Sequence, residues 1–313
     1  MGSRFARLSS SDLSYLRFET LRSPFHFGSL AIVEAEPLVD ASGSLRLAHI
    51  RSRLDRRLGR LPELRRRVHF PGLLRGRALW VSDDRFAIHH HVLEAEIAGP
   101  GSETELLDTA ARLCGTLLDR SRPLWELWFL RGLSENRMGV LVKLHHSVAD
   151  GMAALAIMGS LFDLEADAPD PPPLPWSSVA IPGAWPLLAD NFATKLSGLG
   201  KAVATLAHPA RVVRTLSSFG AEARQASRAH SRAPRTSLNK LVAAGRRVRF
   251  VRLDLPAVKE QAHAAGGKVN DVVLDLIAGG LRELLIAREE PVLGLEVVVS
   301  VAVALRSSEE ARD

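Results

Sequence analysis

The chain has one cysteine, few aromatic residues and no apolar run that could cross a bilayer, and each shortage removes a class of function. Cys114 stands alone, which excludes an internal disulfide and agrees with a reducing cytoplasm. It falls at helical spacing with Leu106, Leu107, Leu113 and Leu117, so a packed thiol is a better reading than a nucleophile. Aromatic residues make up 5% of 313 positions and no nucleic-acid reader motif is present. There is little to stack on bases or to enter a groove, so no nucleic-acid partner is expected. The longest apolar stretch, residues 297–305, is β-branched and interrupted by Ser300. It is far short of the roughly 20 residues of a membrane helix and reads as a core strand. Residues 1–19 alternate polar and apolar side chains without a signal-peptide core, so the expected location is cytoplasmic.

What is present suits a globular protein of two domains: 46% hydrophobic and 24% charged residues. The net charge is +6, from 41 Lys+Arg against 35 Asp+Glu. Much of the basic charge sits in Arg51, Arg53, Arg56, Arg57, Arg60, Arg65, Arg66 and Arg67, interleaved with Leu47, Ile50, Leu54 and Leu58 at helical spacing. The pattern predicts an amphipathic helix with arginines on a solvated outer face. An anionic membrane surface or a phosphate-bearing substrate is the functional alternative.

Along the chain, hydrophobic periodicity predicts strands over 27–36, 77–81 and 86–94, a helix over 103–118, and a hairpin of 125–131 with 137–144 around Gly132. Residues 168–175 are too proline-rich for regular structure and read as a linker. Residues 186–228 read as largely helical, packed or lying on a membrane. A second αβ pattern follows: a strand over 248–255, a helix over 256–265 stopped by Gly266-Gly267, and a helix over 272–288 with an Asn or Asp cap. The terminal strand would need neighbours on both edges, so the second domain looks unfinished. The expected division is 1–167, a connecting segment 168–235, and 236–313.

The chemistry is concentrated in His145-His146-Ser147-Val148-Ala149-Asp150-Gly151, between a predicted buried strand and a predicted helix. Histidine titrates near neutrality and can take and return a proton there. Neighbours on an extended segment point opposite ways, so only one of the two histidines can face a substrate. Gly151 lets the backbone turn closely past the site. His89-His90-His91 invites a metal reading, but on a strand only two of these share a face and no third ligand converges, so no metal is expected.

Four motifs taken together resemble the wax ester synthase/diacylglycerol acyltransferase family, within the acyltransferases built like chloramphenicol acetyltransferase. They are Leu8-Ser9-Ser10-Ser11-Asp12 with Phe18-Glu19-Thr20 and Pro24-Phe25-His26-Phe27-Gly28; Pro123-Leu124-Trp125-Glu126; the histidine motif; and Asn270-Asp271-Val272-Val273-Leu274. Phe25 stands where the family usually has methionine, Asp275 where it has a small apolar residue, and Val301-Ala302-Val303-Ala304-Leu305-Arg306 is looser than the family form. The resemblance implies an α+β, chloramphenicol acetyltransferase-like fold of two similar domains meeting at a tunnel, with family members continuing beyond the last strand seen here. It implies His146 as general base, His145 as mainly structural, and Asp150 as an orienter of the loop, with Arg306 as its candidate ion-pair partner. Asn270 and Asp271 would hold the acyl thioester or cap their helix, Glu19 and His26 would border the tunnel, and Pro123, Leu124 and Trp125 would fix the flanking strand. Acyl-CoA is then a substrate, with no cofactor.

The implied function is O-acyl transfer from acyl-CoA to diacylglycerol or a fatty alcohol, with peripheral association with a membrane or lipid droplet. Two other readings remain at this stage. One is a condensation-like enzyme dependent on a carrier protein; the other is an inactive lipid-surface binding protein.

Overall fold

The computed structural model describes residues 5–149, 151–163, 181–206 and 234–299, with Pro172 and Ser178. The chain divides into two compact units, Met1–Gly200 with Val242–Phe250, and Lys201–Leu241 with Val251–Asp313. The first boundary lies further along than the expected 167, because the leading part of a long helix packs with the first unit. The linker expected at 168–175 lies outside the described residues but for Pro172.

The first unit is built on a four-stranded sheet in the order β1-β6-β5-β4: β1 (His26–Glu34), β6 (Arg137–His145), β5 (Trp125–Leu133) and β4 (Val92–Glu96). β1 and β5 run antiparallel to β6, and β4 runs parallel to β5. Between β5 and β6, Glu135 and Asn136 both take positive φ, 61° and 53°, which tightens the hairpin. β2 (Arg66–His69) and β3 (Leu79–Ser82) form a separate two-stranded ribbon.

Period-two alternation sends the two faces of the sheet into different cores. Leu127, Phe129, Val140, Val142 and Leu144 join the cluster that contains Ile50 and Leu54 of α2 (Leu47–Arg57) and Ala154 and Ile157 of α4 (Gly151–Leu161). On the opposite face, Leu130 and Leu141 pack with Leu106, Ala110 and Leu113 of α3 (Glu103–Cys114). Ser102 and Glu105 form a capping box at the start of α3, satisfying donors that the first turn cannot bond internally. Helices on both faces of a mixed sheet agree with the expected α+β class.

Several expected elements differ. The strand expected over 77–81 is Leu79–Ser82, and within 86–94 only Val92 onward is strand; Ile88–His90 is a 3-10 turn. α3 stops at Cys114, where Gly115 caps it, rather than at 118. The arginines of α2 are not a free solvated face. Arg51 donates to the Val92 carbonyl at 2.8 and 3.0 Å, and Arg57 is buried on the Leu161 carbonyl and the Asp163 carboxylate. A guanidinium can be buried when its fork meets carbonyls and a carboxylate, and periodicity cannot foresee such partners.

α1 (Ser10–Phe18) opens with Ser9 and Asp12 capping each other. α5 (Ala184–Leu206) occupies the first part of the helix expected over 186–228, and the rest lies outside the described residues. Arg7 ties this helix to the N-terminal segment through Asp190, at 2.6 Å.

In the second unit, α6 (Leu255–Ala264) starts from an Asp254 cap and is followed by Gly266 at φ 68°. α7 (Val269–Ile286) begins three residues earlier than expected. The strand expected over 248–255 is not formed, and Val297, Val298 and Val299 are exposed outside any strand. Among the described residues no β-strand follows β6. A strand needs an edge to bond, and apolar composition alone does not supply one.

Candidate active site

β6 runs up to the histidine pair. Its buried series Leu141, Lys143, His145 faces α3, and each side chain in it is no more than 2% exposed. His145 is the last strand residue and lies opposite His26 in the β1 register, so both rings are on one face. His146 lies one residue past the strand, with its amide donating to the Phe25 carbonyl at 2.8 Å. Its ring is exposed, resting against Tyr15 at 5.6 Å and Phe27 at 5.2 Å between centroids. Adjacent histidines therefore have opposite environments.

His145 is held from several sides. The Ser147 amide donates to its Nδ1 at 3.0 Å, and the Ser147 hydroxyl lies 2.6 Å from the same nitrogen. Nδ1 is thus an acceptor, which leaves the ring proton on Nε2, 3.4 Å from Glu19 Oε1. Glu19 also accepts from the Phe25 amide at 3.0 Å and pairs with Arg120 at 3.0 Å. His26 donates through Nε2 to the Cys114 carbonyl at 2.7 Å, with its Nδ1 3.9 Å from Glu19. Burial opposes charge on Glu19, yet the contacts from His145, His26, Arg120 and the Phe25 amide outweigh it and hold the carboxyl well below its ordinary range.

His146 is shifted in the direction a base needs. Partial burial lowers its pKa below the ordinary 6.5, and the neighbouring His145 and His26 lower it further. The imidazole is neutral near pH 7 and free to accept a proton.

The Pro123-Leu124-Trp125 segment fixes this end of the sheet. All three are buried; the Leu124 carbonyl accepts from the His145 amide at 3.1 Å, and Trp125 Nε1 donates to the Leu64 carbonyl at 2.7 Å. Trp125 stacks on His91 at 4.7 Å, and His91 Nδ1 donates to the Trp125 carbonyl at 2.9 Å. His91 is thereby turned inward, and His89 and His90 contact each other at 4.0 Å on the 3-10 turn, not on a strand. Lys143, fully buried, donates to the Leu113 carbonyl at 3.1 Å and Thr116 Oγ1 at 3.0 Å, with Glu126 at 3.5 Å.

The other expected site residues are distributed differently. Glu19 and His26, expected to border a tunnel, lie beneath the histidines with side chains 1% and 2% exposed. Asp271, expected to hold substrate or cap its helix, accepts from the Lys268 amide at 2.7 Å in a capping box; Lys268, not Asn270, is the cap residue. Asn270 is exposed in the first turn of α7. Gly151 begins α4. Asp150 and Arg306, with their expected ion pair, lie outside the described residues. Sequence reasoning missed Arg120, Ser147, Tyr15 and Lys143. Ser147 and Lys143, each two residues from His145, carried a local signal; Arg120 and Tyr15 carried none.

Comparison with known proteins defines the class first. Residues 8–273 match the wax ester synthase/diacylglycerol acyltransferase catalytic domain, and the chain belongs to that family. Among individual relatives, a Mycobacterium tuberculosis protein named as a diacylglycerol O-acyltransferase is 30% identical over 290 residues, covering 90% of this chain and 55% of its own length. The tgs3 diacylglycerol O-acyltransferase of the same species, named as probable, is 32% identical over 257 residues, 80% of this chain and 92% of its own. The wax ester synthase/diacylglycerol acyltransferase of Marinobacter aquaeolei VT8 superposes with a TM-score of 0.63 at 23% identity, over 91% of this chain and 62% of its own, and shows the fold. The chain thus spans a little over half the length of the first of these relatives.

Proposed function

We propose that this chain carries the base-bearing part of an acyl-CoA-dependent O-acyltransferase, with His146 as the general base. The observation that carries the reading is the division of labour in the histidine pair. His145 is buried and held by Ser147 beside Glu19, whereas His146 is exposed, neutral and seated between two aromatic rings.

In the proposed reaction His146 takes the proton of an acceptor hydroxyl, and the oxygen attacks the thioester carbonyl. The tetrahedral intermediate collapses with cleavage of the C–S bond. The imidazolium then returns its proton to the leaving thiolate, giving free CoA and an ester. The base is restored without a covalent enzyme intermediate or a prosthetic group. Glu19 and Arg120 act at one remove, fixing His145 and hence the strand end that presents His146. Asp150 would hold the loop that follows.

Diacylglycerol is the acceptor favoured by the names of the relatives, with a fatty alcohol as the alternative. Either would be reached from a lipid surface, at the cytoplasmic face of a membrane or on a lipid droplet. Among the described residues no helix is long and apolar enough to cross a membrane. Trp185, Phe192 and Leu196, all more than half exposed, follow one side of α5 and suit shallow insertion.

The test is His146→Ala with a long-chain acyl-CoA and each acceptor, following free thiol. Loss of the positioned base should lower the rate by about 10²–10⁴-fold. A variant that releases CoA at the wild-type rate would remove the basis for the reading.

A further inference from the structure

An open cavity of about 720 Å³ lies wholly within the first unit, between the C-terminal end of α3 and residues 244–249. Its walls carry four guanidinium groups, Arg112, Arg246, Arg247 and Arg249, against a single carboxylate, Asp108. Arg249 pairs with Asp108 at 2.9 Å, both side chains more than half exposed. Arg246 donates to the carbonyls of Arg22 at 2.7 Å and Ala243 at 3.2 Å, contacts that fix the side chain without neutralising it. Among the described residues the side chains of Arg112 and Arg247 have neither a carboxylate nor a hydrogen-bond partner, and both residues are exposed.

Four like charges gathered around one concavity repel one another, and a polyanion relieves that repulsion. The C-terminal end of α3 would ordinarily disfavour an anion. Here its Leu113 and Cys114 carbonyls are already taken by Lys143 Nζ and His26 Nε2. The same helix end that walls the cavity thus seats His26 of the Glu19 cluster.

We infer that this cavity binds the phosphate groups of the acyl donor, the nucleotide end of a CoA thioester, an inference that rests on the acyl-transfer reading above. Guanidinium forks match phosphate oxygens in pairs, and the cavity volume falls in the range of pockets that hold a molecule of nucleotide size. Arg112 and Arg247 supply the free donors, and Arg246 and Arg249 shape and charge the wall.

The probe is adenosine 3′,5′-bisphosphate, titrated calorimetrically into the full chain at low salt. Wild type should bind it with an affinity that falls as salt rises, and Arg112→Ala with Arg247→Ala should weaken binding at least tenfold and raise KM for acyl-CoA. Arg112→Lys with Arg247→Lys should recover part of the loss, which separates lost charge from lost folding. Equal affinity in wild type and the Ala variant, with matching thermal melts, overturns the site. So does an absence of bisphosphate binding when phosphatidylglycerol vesicles bind wild type and not the variant, since the arginines then face lipid. The titration needs no turnover. Arginine-dependent binding in a protein that releases no CoA from any acyl-CoA would defeat the acyl-transfer reading while leaving the anion site standing.

Discussion

Glu19→Gln tests the support beneath the histidine pair most directly. The carboxylate side chain is 1% exposed and meets the Phe25 amide at 3.0 Å, Arg120 at 3.0 Å and His145 Nε2 at 3.4 Å. A glutamine oxygen in the Oε1 position can still accept from the Phe25 amide and face His145, but its NH₂ group then meets the donors of Arg120. Losing the charge weakens the buried oxygen's contacts from charge-assisted to neutral strength, a difference of about 1–1.5 kcal/mol. The Arg120 side chain is 40% exposed, so its pair adds only about 0.5–1 kcal/mol. The variant should therefore lose about 1.5–2.5 kcal/mol at pH 7, read from urea unfolding with Trp125, buried in the same unit, as the optical probe. The sign of the pH dependence follows from the direction of the shift. Glu19 is depressed in the folded state from an ordinary 4.5, so its stabilisation is complete above that value and fades as pH falls below it. The gap between wild type and variant should narrow in acid. A gap below about 0.5 kcal/mol at pH 7, within the range of an ordinary surface substitution, would refute the argument, as would a gap that widens as pH falls.

The rate of acyl transfer should be flat near neutrality and decline in acid with a midpoint below 6.5, because the His146 base form persists to lower pH than in a free imidazole; a pH–rate profile with a higher midpoint would contradict this. Lys143→Met removes the donor to the Leu113 carbonyl and Thr116 and leaves Glu126 without its cation. Glu126 is 20% exposed and keeps the Trp128 indole N–H at 2.9 Å, so the expected loss in denaturant unfolding is about 2–3 kcal/mol, below the range for a fully buried pair. Gly101→Ala places a Cβ at φ 74°, where it overlaps the Gly132 carbonyl oxygen, and should cost about 2–4 kcal/mol by thermal melting.

Some of this architecture was legible in local pattern. Alternation marked β1, the apolar runs marked β5 and β6, which are buried on at least one face, and the helical spacing of Leu106, Leu107 and Leu113 marked α3. The opposite orientation of His145 and His146 required only that β6 be extended to its last residue. The strand expected over 248–255 is not formed, and of the strand expected over 297–305 residues 297–299 lie outside any strand while 300–305 fall outside the described residues; β-branched composition says nothing about whether an edge is available.

What the sequence determined by itself, then, is the family, the identity of the two histidines and the strand that carries them, since motif spacing and periodicity are properties of short segments. The tertiary structure decided which histidine is held and by what. Glu19, His26, Arg120 and His145 span more than a hundred residues of chain and meet only because β1 pairs with β6 and α3 closes over that face. It also decided that the arginines of α2 are tied to carbonyls and carboxylates while the side chains at residues 112 and 247 are left without partners among the described residues. A guanidinium reads the same in any sequence; its task depends on which oxygens the fold brings within reach.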